Sequence, residues 1–135
     1  MTIVAPAGYS LPGGDLPLTH ARVLHARNWL VGGIVLASST DPDYFETGPV
    51  NSLTYDAWKP ISTAFETWEY DHGSAVECDC ACIAAHDFGD RNVTVTLEYW
   101  DGISWVELVP SFSPNNNGAI MAIFSPTTAQ RWRLG

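Results

Sequence analysis

Residues 93–109 read Val-Thr-Val-Thr-Leu-Glu-Tyr-Trp-Asp-Gly-Ile-Ser-Trp-Val-Glu-Leu-Val. Apolar and polar side chains alternate through the first half. Val93, Val95, Leu97 and Tyr99 fall on one face; Thr94, Thr96, Glu98 and Trp100 fall on the other. Successive side chains of a strand point to opposite faces, so a strict period of two marks a strand with one face buried. Asp101-Gly102 supplies the residues favoured in a two-residue hairpin turn, and Ser104–Val109 returns. Trp100 and Trp105 flank that turn, where cross-strand pairing accounts for an outward tryptophan.

Further strands are expected in both directions. Thr19–Ala26, Leu30–Leu36 and Leu53–Tyr55 are expected strands. Ala64–Tyr70 leads into Asp71-His72-Gly73-Ser74, the signature of a hairpin turn. Val76–Ala84 then alternates, with Val76, Cys78, Cys80, Cys82 and Ala84 expected inward. Ile120–Phe124 and Arg131–Leu134 close the chain, and polar loops are expected at 37–51 and 110–118. No window carries a 3.6-residue period. The expected fold is all-β: one antiparallel β-sandwich or jelly roll of about eight strands over residues 19–135. Residues 1–18, with Pro6, Pro12, Pro17 and Gly13-Gly14, are expected to be an extended N-terminal arm.

Composition supports a folded domain and narrows its partners. The 135 residues are 46 % hydrophobic with 6 Trp, enough for a core, and only 16 % charged. Fifteen acids against six bases leave a net charge of −9. Nucleic-acid binding needs a basic footprint, and anionic membrane surfaces repel the same balance. No stretch approaches the roughly 20 apolar residues of a membrane-spanning helix. The start, MTIVAPAGYSLPGG, lacks a cationic, apolar leader, so folding in a cytoplasm is expected. Three cysteines crowded as Cys78-Asp79-Cys80-Ala81-Cys82 read as small core residues. On a strand, i and i+2 are too far apart for an unstrained disulfide. A thiolate metal site is the alternative, though tetrahedral zinc wants ligands wrapped around it and a fourth donor.

Few residues suggest reaction chemistry. His20, His25, His72 and His86 are scattered, and no serine or cysteine sits in a nucleophile setting, so a non-enzyme is expected. Asp41, Asp43 and Glu46 share the longest polar loop; oxygen clusters suit calcium, and a structural calcium is the one metal this loop suggests. Otherwise no cofactor is expected. Tyr44, Phe45 and Trp58 also fall on loops, where aromatics stack on sugars, anchor protein contacts or plug the ends of a core.

The order of several short motifs adds a resemblance. Trp58-Lys59-Pro60, Ala64–Asp71 and Val76–Ala84 are followed by Ile83-Ala84-Ala85-His86-Asp87-Phe88-Gly89. The Val93–Trp105 hairpin and the closing Arg131-Trp132-Arg133-Leu134 complete the series. Together they resemble the discoidin-like, galactose-binding-like sandwiches found in small bacteriophage virion proteins, whose opening is similar to Leu16–Arg27. Asp87 departs from that pattern, where asparagine is frequent. The resemblance implies a galactose-binding-like sandwich acting as a structural or accessory virion protein, in the tail or decorating the capsid. Its partners would be capsid, tail or fibre components, met in several symmetric copies. The alternative is a carbohydrate-binding module for a host surface glycan.

Overall fold

The computed structural model describes residues 2–4, 29–51 and 56–135. Their elements are β1 (Thr2–Val4), β2 (Ile34–Ala37), a 3₁₀ turn (Gly48–Val50), β3 (Trp68–Ile83), α1 (Phe88–Arg91), β4 (Val95–Trp100), β5 (Trp105–Phe112) and β6 (Ile120–Leu134). The strands run in the order β2-β3-β6-β4-β5, all antiparallel, with β1 added in parallel to β6. The strands expected at 19–26 and 53–55, and residues 5–18 of the expected arm, lie outside the described residues. Thr2–Val4, assigned to that arm, is instead a strand paired with Ile120–Ala122.

Two long strands replace four expected short ones. Asp71-His72-Gly73-Ser74 does not reverse the chain into a hairpin. Asp71 pairs with Arg131 and Val76 with Ala129, so residues 72–75 form a bulge inside β3. The turn chemistry is present all the same: Gly73 takes φ +84°, and its N–H donates to Asp71 Oδ1 at 2.8 Å. A second register shift lies between Cys78 and Cys80, whose partners are Thr127 and Ile123. Pro126, which has no N–H to give a ladder, falls in that gap. These shifts bend the strands. Ala122 and Leu134 would stand roughly 40 Å apart along a straight strand. Both nevertheless pack into one cluster with Leu97, Val109 and Phe124, so β6 folds over its own core. This is how a continuous ladder makes two layers of a sandwich.

The second shift also re-aims the cysteines. Cys78 and Ala81 both pack against the core cluster, while Cys82 is exposed. The expected inward row of Cys78, Cys80 and Cys82 is therefore broken, at a place where β6 carries two residues more than β3 and the ladder is interrupted. None of the three forms a disulfide. Burial, reinforced by Asp79 and Glu77, pushes the Cys78 thiol up to about 11. That is the opposite of an activated nucleophile.

The hairpin is as expected in its strands and pairs. Val95 and Leu97 are buried, and the Trp100 and Trp105 rings meet edge-on with centroids 5.5 Å apart. The connecting loop is four residues rather than two, since Trp100 pairs directly with Trp105. Asp101 Oδ1 accepts from the N–H groups of Ile103 and Ser104, at 2.7 and 2.8 Å. On the same outward face Arg133 lies 4.3 Å from the Trp105 ring centre and donates to Glu98 at 2.7 Å. Pro110 is tolerated because β5 ends the strand order.

Candidate functional site

Ala37 pairs with Trp68, which pairs with Leu134, and Leu134 with Leu97. The segments 38–51 and 56–67 therefore emerge together at one end of the sandwich. The first is shaped by its own backbone. Asp41 Oδ1 accepts from the N–H of Asp43 at 3.0 Å, the Tyr44 N–H donates to Asp41 O at 3.0 Å, and the Gly48 N–H donates to Phe45 O at 2.9 Å. This series of tight turns leaves Tyr44 44 % and Phe45 62 % exposed.

Two tryptophans fasten the loop from beneath. Trp58 Nε1 donates to Ser39 O at 2.9 Å, and the buried Trp68 donates to Glu46 O at 2.7 Å. Indole N–H groups seek a partner when buried, and here the partners are loop carbonyls. Gly48 completes the join, since an added Cβ would sit 2.9 Å from the Ala57 carbonyl carbon. Between the segments lies a cleft of about 310 Å³, lined by Asp43, Tyr44, Phe45, Thr47, Asn51 and Asp56 among others. Asn51 Nδ2 donates to Asp56 Oδ2 at 2.6 Å across it.

The residues anticipated for binding thus divide. Tyr44 and Phe45 line the cleft; Trp58 does not, and acts as a support. The anticipated calcium set is also divided. No three His, Cys, Asp or Glu side chains among the described residues are grouped to hold a metal ion. Asp41 is turned to Lys59, at 3.0 Å, and Lys59 Nζ lies 5.2 Å from the Tyr44 ring centre. Asp43 lines the cleft without the other two. A lysine on Asp41 leaves that carboxylate's charge already partnered, so Asp41, Asp43 and Glu46 do not form an oxygen cage. His72 and His86 lie elsewhere: His86 Nε2 donates to Gly118 O at 2.7 Å, and its Nδ1 accepts from the Phe88 N–H at 3.2 Å.

Glu66 joins the roots of the two segments. Its carboxylate accepts from the hydroxyls of Ser38 and Ser62, and Ser38 Oγ in turn accepts from the Thr67 N–H at 2.8 Å. Hydrogen bonds from Ser38 and then Ser62 hold the Glu66 carboxyl below its ordinary range. The Asp43 N–H, then Lys59, do the same for Asp41. Groups whose folded pKa is depressed contribute stability above their unfolded pKa and lose it as pH falls through the folded value. The segments are expected to loosen on acidification below the usual carboxylate range. A tryptophan fluorescence titration checks this: Glu66→Gln should shrink the acid transition, and an unchanged transition would argue against Glu66 as its source.

Sequence patterns did not single out Glu66, Asn51, Thr47 or Asp56. Polar loop residues carry no periodicity, and only the fold brings 38–51 against 56–67.

No protein-family model and no curated protein matches the sequence. Solved structures do resemble the fold. Chitosan-binding module 1 of a chitosanase/glucanase from Paenibacillus sp. IK-5 superposes with a TM-score of 0.65 at 13 % identity, covering 82 % of this chain and 85 % of that one. The family 32 carbohydrate-binding module of Clostridium perfringens NanJ, solved with galactose, gives 0.66 at 12 % identity, covering 78 % and 82 %. A protein assigned as an α-L-fucosidase from Bacteroides thetaiotaomicron gives 0.65 at 18 %, covering 80 % of this chain but 25 % of that one. At these identities the likeness establishes the fold alone: an all-β, galactose-binding-like sandwich shared with carbohydrate-binding modules.

Proposed function

We propose that the chain is a non-catalytic carbohydrate-binding module whose site is the cleft between segments 38–51 and 56–67. The observation that carries this is the pair of exposed rings, Tyr44 and Phe45, beside the cleft's polar groups. Sugar rings offer apolar C–H faces for stacking and hydroxyls for hydrogen bonding, and Asp43, Thr47, Asn51 and Asp56 supply the polar partners. The similar modules, one named for chitosan and one solved in complex with galactose, support the reading. The cleft lining carries carboxylates and no cation, so neutral or amino sugars suit it and acidic polysaccharides are disfavoured.

Calorimetric titration with galactose, chitotriose and polygalacturonate tests the proposal. Binding of a neutral or amino sugar is expected. Tyr44→Ala and Phe45→Ala should each weaken it about tenfold, equivalent to roughly 1.4 kcal/mol, with thermal stability nearly unchanged because both rings are exposed. Flat titrations to millimolar sugar would count against the reading.

A second reading sets the sandwich in a bacteriophage particle, as a structural or accessory protein docked on capsid, tail or fibre components. Its favouring observation is an apolar row at the β2 end of the strand order, where Val31, Ile34 and Leu36 are 66, 65 and 56 % exposed. Such patches suit protein contacts. Co-purification with intact virions at fixed stoichiometry supports it, and absence from virions overturns it.

A further inference from the structure

We infer that Asn117 is a site of spontaneous deamidation, and that its conversion releases a clamp between the connection after β3 and the connection before β6. Among the asparagines, Asn117 alone precedes glycine; Asn28 precedes tryptophan, Asn51 serine, Asn92 valine, and Asn115 and Asn116 precede asparagine. A glycine with no Cβ leaves its backbone nitrogen open to approach the preceding side chain. Asn117 is also exposed.

The residue stands at the centre of three contacts. Gly89 is pressed so close to Asn116 that an added Cβ would lie 2.4 Å from its carbonyl carbon. Asn117 Nδ2 donates to Asp90 Oδ2 at 2.7 Å, and the Asp90 N–H donates to Asn117 Oδ1 at 3.2 Å. Beyond it, His86 Nε2 holds Gly118 O at 2.7 Å. The Gly118 N–H is meanwhile given to Asn116 Oδ1 at 2.8 Å. Both reacting groups are thus tied in the closed loop, and reaction awaits local opening.

In the opened loop the Gly118 nitrogen loses its proton to water and attacks Asn117 Cγ. The new N–Cγ bond closes a succinimide as the Cγ–Nδ2 bond breaks, and Nδ2 departs as ammonia with that proton returned. One water then opens either imide bond, leaving aspartate or isoaspartate at position 117. No oxidant or cofactor is needed. The product replaces the Nδ2 donor with an acceptor-only carboxylate facing Asp90. Two like charges at hydrogen-bond distance repel, and Arg91 offers no relief because it is paired with Asp87 at 3.0 Å. An isoaspartate additionally lengthens the backbone and carries Gly118 O away from His86. Modification therefore favours the open loop.

Incubating the full chain at mildly alkaline pH, with peptide mapping and isoaspartate detection, tests the site. Conversion is expected at 117 before 28, 51, 92, 115 or 116, and Asp90→Ala should accelerate it several-fold by freeing the carboxamide. The consequence is tested separately: Asn117→Asp should exchange its amides several-fold faster over 86–91 and 115–118. Adding Asp90→Asn to that variant should restore slow exchange, since an amide again faces a carboxylate. Earlier conversion at another asparagine, or no conversion in either wild type or Asp90→Ala, overturns the site. Unchanged exchange in Asn117→Asp overturns the clamp.

Discussion

Phe124→Ala is expected to cost about 3–5 kcal/mol of folding stability, a large share of the roughly 5–15 kcal/mol that holds a typical domain. Phe124 is 2 % exposed and sits in the core cluster with Leu97, Val109 and Ala122. Its position is also where β6 leaves register with β3, just before Pro126. The ring therefore belongs to a cluster to which β4, β5 and β6 all contribute. Truncation would leave a cavity walled by a backbone whose hydrogen bonds keep it from collapsing. Urea unfolding followed by tryptophan fluorescence should show a lower midpoint at unchanged slope. Phe45→Ala is the matched control, for Phe45 is 62 % exposed and should change the midpoint little. The two phenylalanines should thus separate cleanly, one governing stability and the other binding.

The second large effect is expected at Gly33. A Cβ there would stand 2.3 Å from Asp71 O and 2.5 Å from Tyr70 Cζ, so backbone or a fully enclosed ring would have to move. Tyr70 is 1 % exposed, and its hydroxyl accepts from the Gly33 N–H at 2.9 Å. Gly33→Ala should both overpack the site and break that partly buried bond. Overpacking costs about 1–3 kcal/mol and a buried unmet hydrogen-bonding group a similar amount, so about 3 kcal/mol or more is expected. The neighbouring Gly32 makes the comparison sharp. It has φ +83° with open space around it, so Gly32→Ala should cost only the left-handed backbone strain, about 1–2 kcal/mol. Thermal melts of the two variants check the order, and Gly33→Ala melting at or above Gly32→Ala would show that the β2–β3 contact yields more easily than its packing implies.

Much of the sandwich was legible in the sequence, and the failures share one cause. The period-two runs located β4 and the second half of β3, because alternation reports which face meets the core, while Ala64–Tyr70, Ser104–Val109, Ile120–Phe124 and Arg131–Leu134 were legible as strands from their apolar residues between turn signals. Asp71–Ser74 was legible as a turn by its chemistry, yet Asp71 and Val76 still pair with one continuous β6. Whether turn residues reverse a chain or bulge a strand depends on the partner strand, which local sequence does not contain. The cysteine strand failed likewise, since the shift between Cys78 and Cys80 is set by the crossing of β3 on β6. For the site, Tyr44 and Phe45 were legible as loop aromatics, while Trp58 looked the same and proved to be a support.

By itself, then, the sequence determined an acidic all-β domain, the core face of β4 and the loops that bear its aromatics. These follow from composition and near-neighbour periodicity, which act within a few residues. Only the tertiary structure decided that β3 and β6 run on through their bends and fold over Phe124. It alone set Glu66 between Ser38 and Ser62, and Lys59 on Asp41. Lys59 and Asp41 lie 18 positions apart and Ser38 and Glu66 lie 28 apart, and such pairings exist only once the chain has closed on itself.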